Sequence, residues 1–135
     1  MSIAYPAINL IAILAAAVAQ FVLGWLWYMP GSPTGKQWMA EMGMTSAPAP
    51  SPKMALWLVH AVIAAWVIAM VYGWAGGAGL PDGIKVGLIL ALPAVAMEIA
   101  GAMTMNGRSG AYVLIQSGYA LIGYALMGAI IATMS

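Results

Sequence analysis

The chain has 135 residues, of which 64% are hydrophobic and only 5% carry a charged side chain, with a net charge of +1. Because soluble domains carry about 25% charged residues, this composition excludes a soluble protein and predicts an integral membrane protein whose first partner is the lipid bilayer. The absence of cysteine, the single histidine and the lack of a basic patch exclude disulfides, a multi-histidine zinc site and a nucleic-acid partner.

Four apolar segments are long enough to cross a membrane, since a transmembrane helix needs about 20 mostly apolar residues. They lie at about 7–29, 54–75, 83–105 and 110–134. Together they occupy most of the chain. We therefore expect an all-α integral membrane protein, with a single membrane domain over 1–135 and four transmembrane helices in a bundle.

The connection over residues 30–53 has two parts with different expected structures. In "PTGKQWMAEMGM", Trp38, Met39 and Met42 fall at helical spacing, which predicts a short interfacial helix at about 34–43. Thr34 is the expected N-cap and Gly43 the expected terminator. The following "SAPAPSP" predicts an extended spacer. The alternative is an irregular loop whose tryptophan touches lipid.

The orientation follows from the lysines and arginines in the loops. Lys36, Lys53 and Arg108 lie on one side of the predicted bundle, against Lys85 and the terminal amine on the other. Cytoplasmic loops carry the excess of positive charge. We expect the first side to be cytoplasmic and both termini to lie outside the cytoplasm.

Small residues recur every four positions along the second span. Helices in lipid associate through close backbone approach, so this pattern predicts a helix-packing seam, within the chain or with another chain. The seam consists of Ala61, Ala65, Ala69, Gly73 and Gly77.

Each span carries one polar or ionisable residue at a similar expected depth, about 10 Å from the side of the 30–53 loop at ~1.5 Å per residue. An isolated carboxylate in hydrocarbon is unfavourable, so Glu98 should face the bundle with His60 as its natural partner. The layer is either structural, fixing helix register, or a site for protons or a ligand. The third alternative is scattered polar residues with no common site. The predicted layer comprises Gln20, His60, Glu98 and Gln116, with Tyr112 and Tyr119 on the face of Gln116.

Sequence signatures of catalysis are absent. There is no H-E-x-x-H, no G-x-S-x-G and no Walker loop, and only one carboxylate lies within the predicted spans. A single histidine is a very weak signal for a haem ligand. We expect no enzyme activity, no catalytic residue, no metal and no cofactor.

Two stretches resemble a family of small bacterial membrane proteins catalogued as domain of unknown function 1761. "FVLGWLWYMPGSPTGKQWMAEMGM" is similar to the family's first helix and following loop, and "NGRSGAYVLIQSGYALIGYALMGAIIA" is similar to its Gly-Arg loop and final helix. The resemblance implies four helices in a bacterial inner (cytoplasmic) membrane, and it implies no activity. The first pattern falls on Gly24, Trp27, Tyr28, Pro30, Gly35, Lys36, Trp38, Met42 and Gly43.

The expected function is therefore non-catalytic. We expect the protein to act through helix association, as a homo-oligomer or as an accessory subunit of a larger membrane complex. The alternative is a proton-coupled carrier of a small solute that uses Glu98 and His60.

Overall fold

The computed structural model describes residues 4–46 and 49–135, and every regular element in these residues is helical. Four helices are long and apolar enough to cross a membrane, and a short helix lies in the first loop. The expected all-α membrane fold is confirmed, and the chain is a multi-pass membrane protein. The elements are α1 Leu10–Tyr28, α2 Pro33–Glu41, a 3₁₀ turn at Pro52–Met54, α3 Ala55–Trp74, α4 Leu80–Thr104 and α5 Gly110–Thr133.

Local signals explain where the long helices begin. α1 begins at Leu10, three residues later than expected, because the Asn9 side chain accepts hydrogen bonds from the Ile11 and Ala12 amides. α4 begins at Leu80, three residues earlier than expected. Pro81 fits the first helical turn, where its missing N–H has no helical partner to lose.

The short helix α2 is capped by Ser32, so the expectation that Thr34 caps it is wrong. The Ser32 hydroxyl accepts a hydrogen bond from the Gly35 amide at 2.9 Å, and Pro33 occupies the first turn. The Thr34 hydroxyl instead donates to the Trp27 carbonyl, which ties α2 to the end of α1. Gly43 follows the helix with φ of +68°, as expected of a terminator.

The four long helices run antiparallel in sequence order, so the bundle has two distinct ends. The end that carries Asn9 also holds the end of α3, the start of α4 and the end of α5. We call it the Asn9 end. The opposite end, which carries Tyr28, α2 and the α4–α5 loop, is the Tyr28 end. The expected spacer at residues 46–52 is described only in part, because residues 47 and 48 lie outside the described ranges.

The four helices form a rhombus rather than a square. α3 and α5 contact each other and both other long helices, whereas α1 and α4, all of whose residues are described, do not come together. α5 packs closely on α4, and α3 touches α4 much less. As a result α4 sits at an outer corner of the bundle and exposes more of its surface than any other span.

Alanines from α1 and α3 fill the centre of the bundle. Ala16 of α1 and Ala65 of α3 are completely buried, together with Ile68, in one hydrophobic cluster that α5 closes with Met127. Small side chains here let the helix backbones approach closely, which supplies the packing that the hydrophobic effect does not provide in lipid.

The predicted seam on α3 is divided between the core and the Asn9 end. Ala61 and Ala65 are buried and Ala69 is half-buried in or against the central cluster. Gly73 is exposed, but a Cβ there would overlap the ring of Pro6. Gly77 lies beyond the helix, which ends at Trp74, so it belongs to the α3–α4 loop. The buried part of the seam is therefore used inside the chain.

Candidate functional site

The polar and aromatic side chains at the Tyr28 end form one group that joins α1, α2 and α5. Its members are Trp27, Tyr28, Trp38, Tyr112, Gln116 and Tyr119, which we call the Tyr28 cluster. Aromatic residues with polar tips favour membrane interfaces, because one part of the side chain is apolar and the other hydrogen-bonds. In this fold these residues also contact one another across neighbouring helices.

Three hydrogen bonds join α1 to α5. The Tyr28 hydroxyl donates to Gln116 Oε1, and the Trp27 indole N–H donates to the Ile115 carbonyl oxygen at 3.1 Å. The Tyr119 hydroxyl donates back to the Gln20 carbonyl oxygen at 3.3 Å. Gly24 makes room for this tyrosine, because a Cβ at that position would lie 2.6 Å from its hydroxyl oxygen. The register of α5 on α1 is therefore fixed by polar bonds at this end.

The helix α2 covers the cluster from the aqueous side. The Trp38 ring meets the Tyr28 ring edge to face at 5.2 Å, and Tyr28 meets Tyr119 in the same way at 5.3 Å. Arg108, in the α4–α5 loop, donates from Nη1 to the Glu41 carbonyl oxygen at 3.0 Å and lies 5.4 Å from the Tyr112 ring. A cation at a helix C-terminus interacts favourably with the helix dipole. Arg108 thus ties the end of α2 to the bundle.

Glu98 lies beside this cluster. The antiparallel register that sets Gly83 against Gly128 and Gly87 against Tyr124 continues along α4 and places Glu98 level with Val113. Val113 follows Tyr112 of the cluster directly and lies three residues before Gln116. Glu98 is half-buried, and within residues 4–46 and 49–135 its side chain takes part in no hydrogen bond or ion pair.

His60 does not join Glu98, contrary to the expected pairing. It is exposed on α3, with its ring 6.4 Å from that of Trp57. It borders a groove of about 190 Å³ between α3, α4 and α5 that is lined mainly by apolar side chains, with Tyr124 at its floor. Lys85 and Asp82 form the only ion pair among the described residues. The structure therefore separates the expected layer into Glu98 beside the Tyr28 cluster and His60 at the groove.

Gln20 is the most deeply buried member of the expected layer. Its side chain is 2% exposed and fills the space left by Gly123, where a Cβ would overlap the amide. Its Oε1 has no hydrogen-bond partner among the described residues. Gln116 is half-buried and bonded to Tyr28. The two amides therefore act at different places, Gln20 in a tight helix contact and Gln116 within the cluster.

The arrangement supplies hydrogen bonds between α1 and α5. Nowhere in the described part of the chain do three His, Cys, Asp or Glu side chains come together in a way that could hold a metal ion.

Several structurally important residues were absent from the predicted site. Trp27, Tyr28 and Trp38 were not assigned to the predicted site, because aromatic residues near helix ends are ordinary in membrane proteins. Gly83 and Gly87, whose spacing is that of the G-x-x-x-G packing motif, were also missed. The carbonyl oxygens of Gly128 and Tyr124 on α5 lie against Gly83 and Gly87, so these two glycines let α4 and α5 come close together.

A family model described as "Protein of unknown function (DUF1761)" matches residues 11–132, a range that contains the whole Tyr28 cluster, Glu98 and the α4–α5 glycines. No curated protein and no solved structure matches the chain.

Proposed function

Because this chain belongs to the DUF1761 family, which is described only as of unknown function, we propose its function from the contacts of its own helices. The protein acts without catalysis, by association of its transmembrane helices with another membrane-embedded chain. The partner is either a second copy of this protein or a chain of a larger membrane complex, in which this protein serves as an accessory subunit.

The observation that carries this proposal is the incomplete cover of α4. Its buried residues are Gly83, Val86, Gly87 and Ala91, so none of its residues from Leu92 to Thr104 is buried. This half of the helix is at an outer corner, next to the groove that His60 borders. The same half carries Glu98, the only carboxylate away from the ends of the four spans.

Glu98 makes an uncovered α4 energetically unfavourable in lipid. The residue lies six positions before the end of α4, about 9 Å inside it at ~1.5 Å per residue. Intramembrane carboxyl groups face a protein interior, a water-filled cavity or a partner group, because hydrocarbon offers them no hydrogen bonds. A helix packed over the exposed half of α4 would shield Glu98 from the lipid.

The experiment measures association in vesicles made from bacterial phospholipid. The natural chain has no cysteine, so Thr45→Cys in the exposed first loop gives one labelling site for a donor or an acceptor dye. Energy transfer between labelled copies, followed as the protein is diluted in lipid, reports self-association. Cross-linking in the membranes of the source cell, followed by identification of the linked chains, reports other partners.

Glu98 variants test whether the carboxyl group matters for association. Glu98→Gln keeps the shape of the side chain and its capacity to hydrogen-bond to a partner, and should change association less than twofold. Glu98→Leu removes that capacity and should change association strongly. Glu41→Gln is the control, because Glu41 lies on α2 outside the spans. If no energy transfer and no cross-linked partner were found at any protein density, association would be the wrong function.

A proton-coupled carrier is the second candidate, favoured by the position of Glu98. The carboxyl group is half-buried within a span and takes part in no ion pair in the described part of the chain. Carboxyl groups inside membrane spans mark proton relays in pumps and transporters. The test is uptake of labelled solutes into vesicles driven by a pH gradient. Uptake that Glu98→Gln abolishes and His60→Gln reduces would favour the carrier, while uptake indifferent to both would reject it.

We also propose that the Tyr28 end faces the cytoplasm of a bacterial inner membrane. Lys36, Lys53 and Arg108 are at this end, and Lys85 is at the other, where Asp82 lies 3.9 Å from it. A reporter that works only in the cytoplasm should be active when inserted after Thr45 and silent when fused after Ser135. The reverse result would invert the orientation.

A further inference from the structure

Trp66 is unusual among the six tryptophans because it lies far from both ends of its helix. It is eight residues from the end of α3, about 12 Å from the Asn9 end at ~1.5 Å per residue. Its side chain is 44% exposed. The indole N–H groups of Trp27 and Trp74 donate to carbonyl oxygens, but that of Trp66 has no acceptor within the described residues. An indole N–H without a partner is unfavourable in hydrocarbon.

An acceptor without its usual donor lies at the same depth on α4. Pro93 is inside that helix and has no N–H, so the carbonyl of Ile89 loses its helical hydrogen bond. Ile89 is 63% exposed and lies nine residues from the start of α4, about 13 Å from the Asn9 end at ~1.5 Å per residue. This carbonyl and the Trp66 indole are thus level with each other.

The Trp66 indole and the Ile89 carbonyl also point towards the same end of the bundle, so they remain at matching depth. Helical side chains lean towards the N-terminus of their own helix, so the Trp66 indole leans towards the Tyr28 end. Helical carbonyl groups point towards the C-terminus, so the Ile89 carbonyl also points towards the Tyr28 end. Both residues are exposed on the outer surface of the bundle, near the groove that Ile63 of α3 and Leu90 of α4 line.

We propose that this surface binds a second copy of the chain, with the Trp66 indole N–H of each copy donating to the Ile89 carbonyl oxygen of the other. A two-fold axis along the membrane normal leaves every residue at its own depth. The indole donor of each copy is therefore level with the carbonyl acceptor of the other copy, and the dimer can form two such hydrogen bonds. The interface would consist of exposed residues of α3 and α4: Val59, Ile63, Trp66, Ile89 and Leu92. The inference rests on the proposed self-association and specifies its contact.

The experiment uses the energy-transfer assay in vesicles with Trp66→Phe and Pro93→Ala. Trp66→Phe retains an aromatic ring and removes the N–H, and Pro93→Ala returns to Ile89 its helical donor. Interhelical hydrogen bonds in membranes average about 0.6 kcal/mol, so losing two per dimer should weaken dimerisation roughly five- to tenfold. The double variant should be no weaker than either single variant, because both remove the same bond.

Trp57→Phe is the matched control, since Trp57 is an exposed tryptophan on the same helix near the Tyr28 end. It should change dimerisation less than twofold. An equal effect of Trp57→Phe and Trp66→Phe, or additive effects in the double variant, would overturn the contact. Dimerisation that neither Trp66→Phe nor Pro93→Ala weakens would overturn this interface while leaving self-association standing. A wild-type protein that stays monomeric would overturn the contact and self-association together.

Discussion

α5 packs against its two closest neighbours in two different ways. Its contact with α4 is built around glycines, with Gly128 of α5 meeting Gly83 of α4 and the backbone of Tyr124 meeting Gly87 of α4. Against α1 it uses large polar and aromatic side chains, including Gln116 and Tyr119. The first contact is concentrated towards the Asn9 end and the second towards the Tyr28 end. One helix thus shows both ways in which helices are held together in lipid.

The two contacts differ in what a substitution can break. Glycine contacts depend on the distance between two backbones, so any added side-chain atom separates the helices along the whole contact. Polar contacts depend on individual donors and acceptors, so one lost hydroxyl removes one bond and leaves the helices packed. The predictions that follow test this difference, beginning with the largest expected effect.

Gly83→Ala should be the most destabilising substitution. A Cβ at Gly83 would overlap the Gly128 carbonyl oxygen, which belongs to the backbone and cannot rotate away. Overpacking of this kind lowers the free energy of unfolding by about 1–3 kcal/mol. The measurement is unfolding of the purified protein in mixed micelles by increasing SDS.

The control for this substitution is Gly110→Ala. A Cβ at Gly110 would meet nothing within 4 Å, so the same chemical change should leave the free energy of unfolding almost unchanged. If Gly83→Ala destabilised the protein as little as Gly110→Ala, α4 and α5 would not be in close contact at Gly83.

The sequence predicted well where the transmembrane helices lie, but it did not predict which face of each helix is buried. Hydropathy placed all four long helices, because crossing a membrane requires a long apolar run whatever its neighbours are. Glycine at 43 also predicted the end of α2 correctly, since a positive φ is a local requirement. These features depend on the chain near the residue concerned.

The neighbours of each polar residue could not be predicted in the same way. Similar depth in the membrane suggested that His60 would meet Glu98, but depth does not determine rotation about the helix axis, and His60 is exposed at the groove. Gln20 and Gln116 have comparable depth and different environments for the same reason. The helices of this protein are apolar on all sides, so amphipathicity gives no indication of the buried face.

Tyr28→Phe should have a moderate effect, because it removes one hydroxyl from the α1–α5 contact. Gln116 Oε1 would lose its donor, and a net loss of about 0.5–1.5 kcal/mol in the free energy of unfolding is expected. The same SDS unfolding measurement applies. Since the ring remains, its edge-to-face contacts with Trp38 and Tyr119 should persist.

A double-mutant cycle determines how much of this loss belongs to the pair. Gln116→Leu removes the acceptor, and in that background Tyr28→Phe should be nearly neutral. If Tyr28→Phe had the same effect with and without Gln116, the hydroxyl would act elsewhere, and Glu98 would be the next group to test because the α4–α5 register places it level with the Tyr28 cluster.

Ser32→Ala should loosen α2 without unfolding the bundle. It removes the side-chain cap of the Gly35 amide, and loss of an N-cap lowers helix stability by about 1 kcal/mol. Hydrogen exchange of the α2 amides should become faster while exchange in α3 is unchanged. Thr34→Val is the comparison, because Thr34 donates to the Trp27 carbonyl and does not cap the helix. Faster exchange at the Gly35 amide in Thr34→Val than in Ser32→Ala would restore Thr34 as the cap.

Arg108→Gln should have the smallest effect, and it should be confined to the same helix. Arg108 donates to the Glu41 carbonyl oxygen at the C-terminus of α2, a partly buried contact, and a cation at a helix C-terminus typically contributes about 0.3–1 kcal/mol. Glutamine retains a donor and removes the charge. We expect faster hydrogen exchange in the last turn of α2 and no change in SDS unfolding of the spans. Because the contribution is electrostatic, raising the salt concentration should bring the exchange rates of the natural protein closer to those of the variant.

The control is Lys36→Gln, at an exposed position earlier in α2, which should not reproduce the change. An equal effect of both substitutions would mean that net charge, rather than the bond from Arg108, holds α2 on the Tyr28 end.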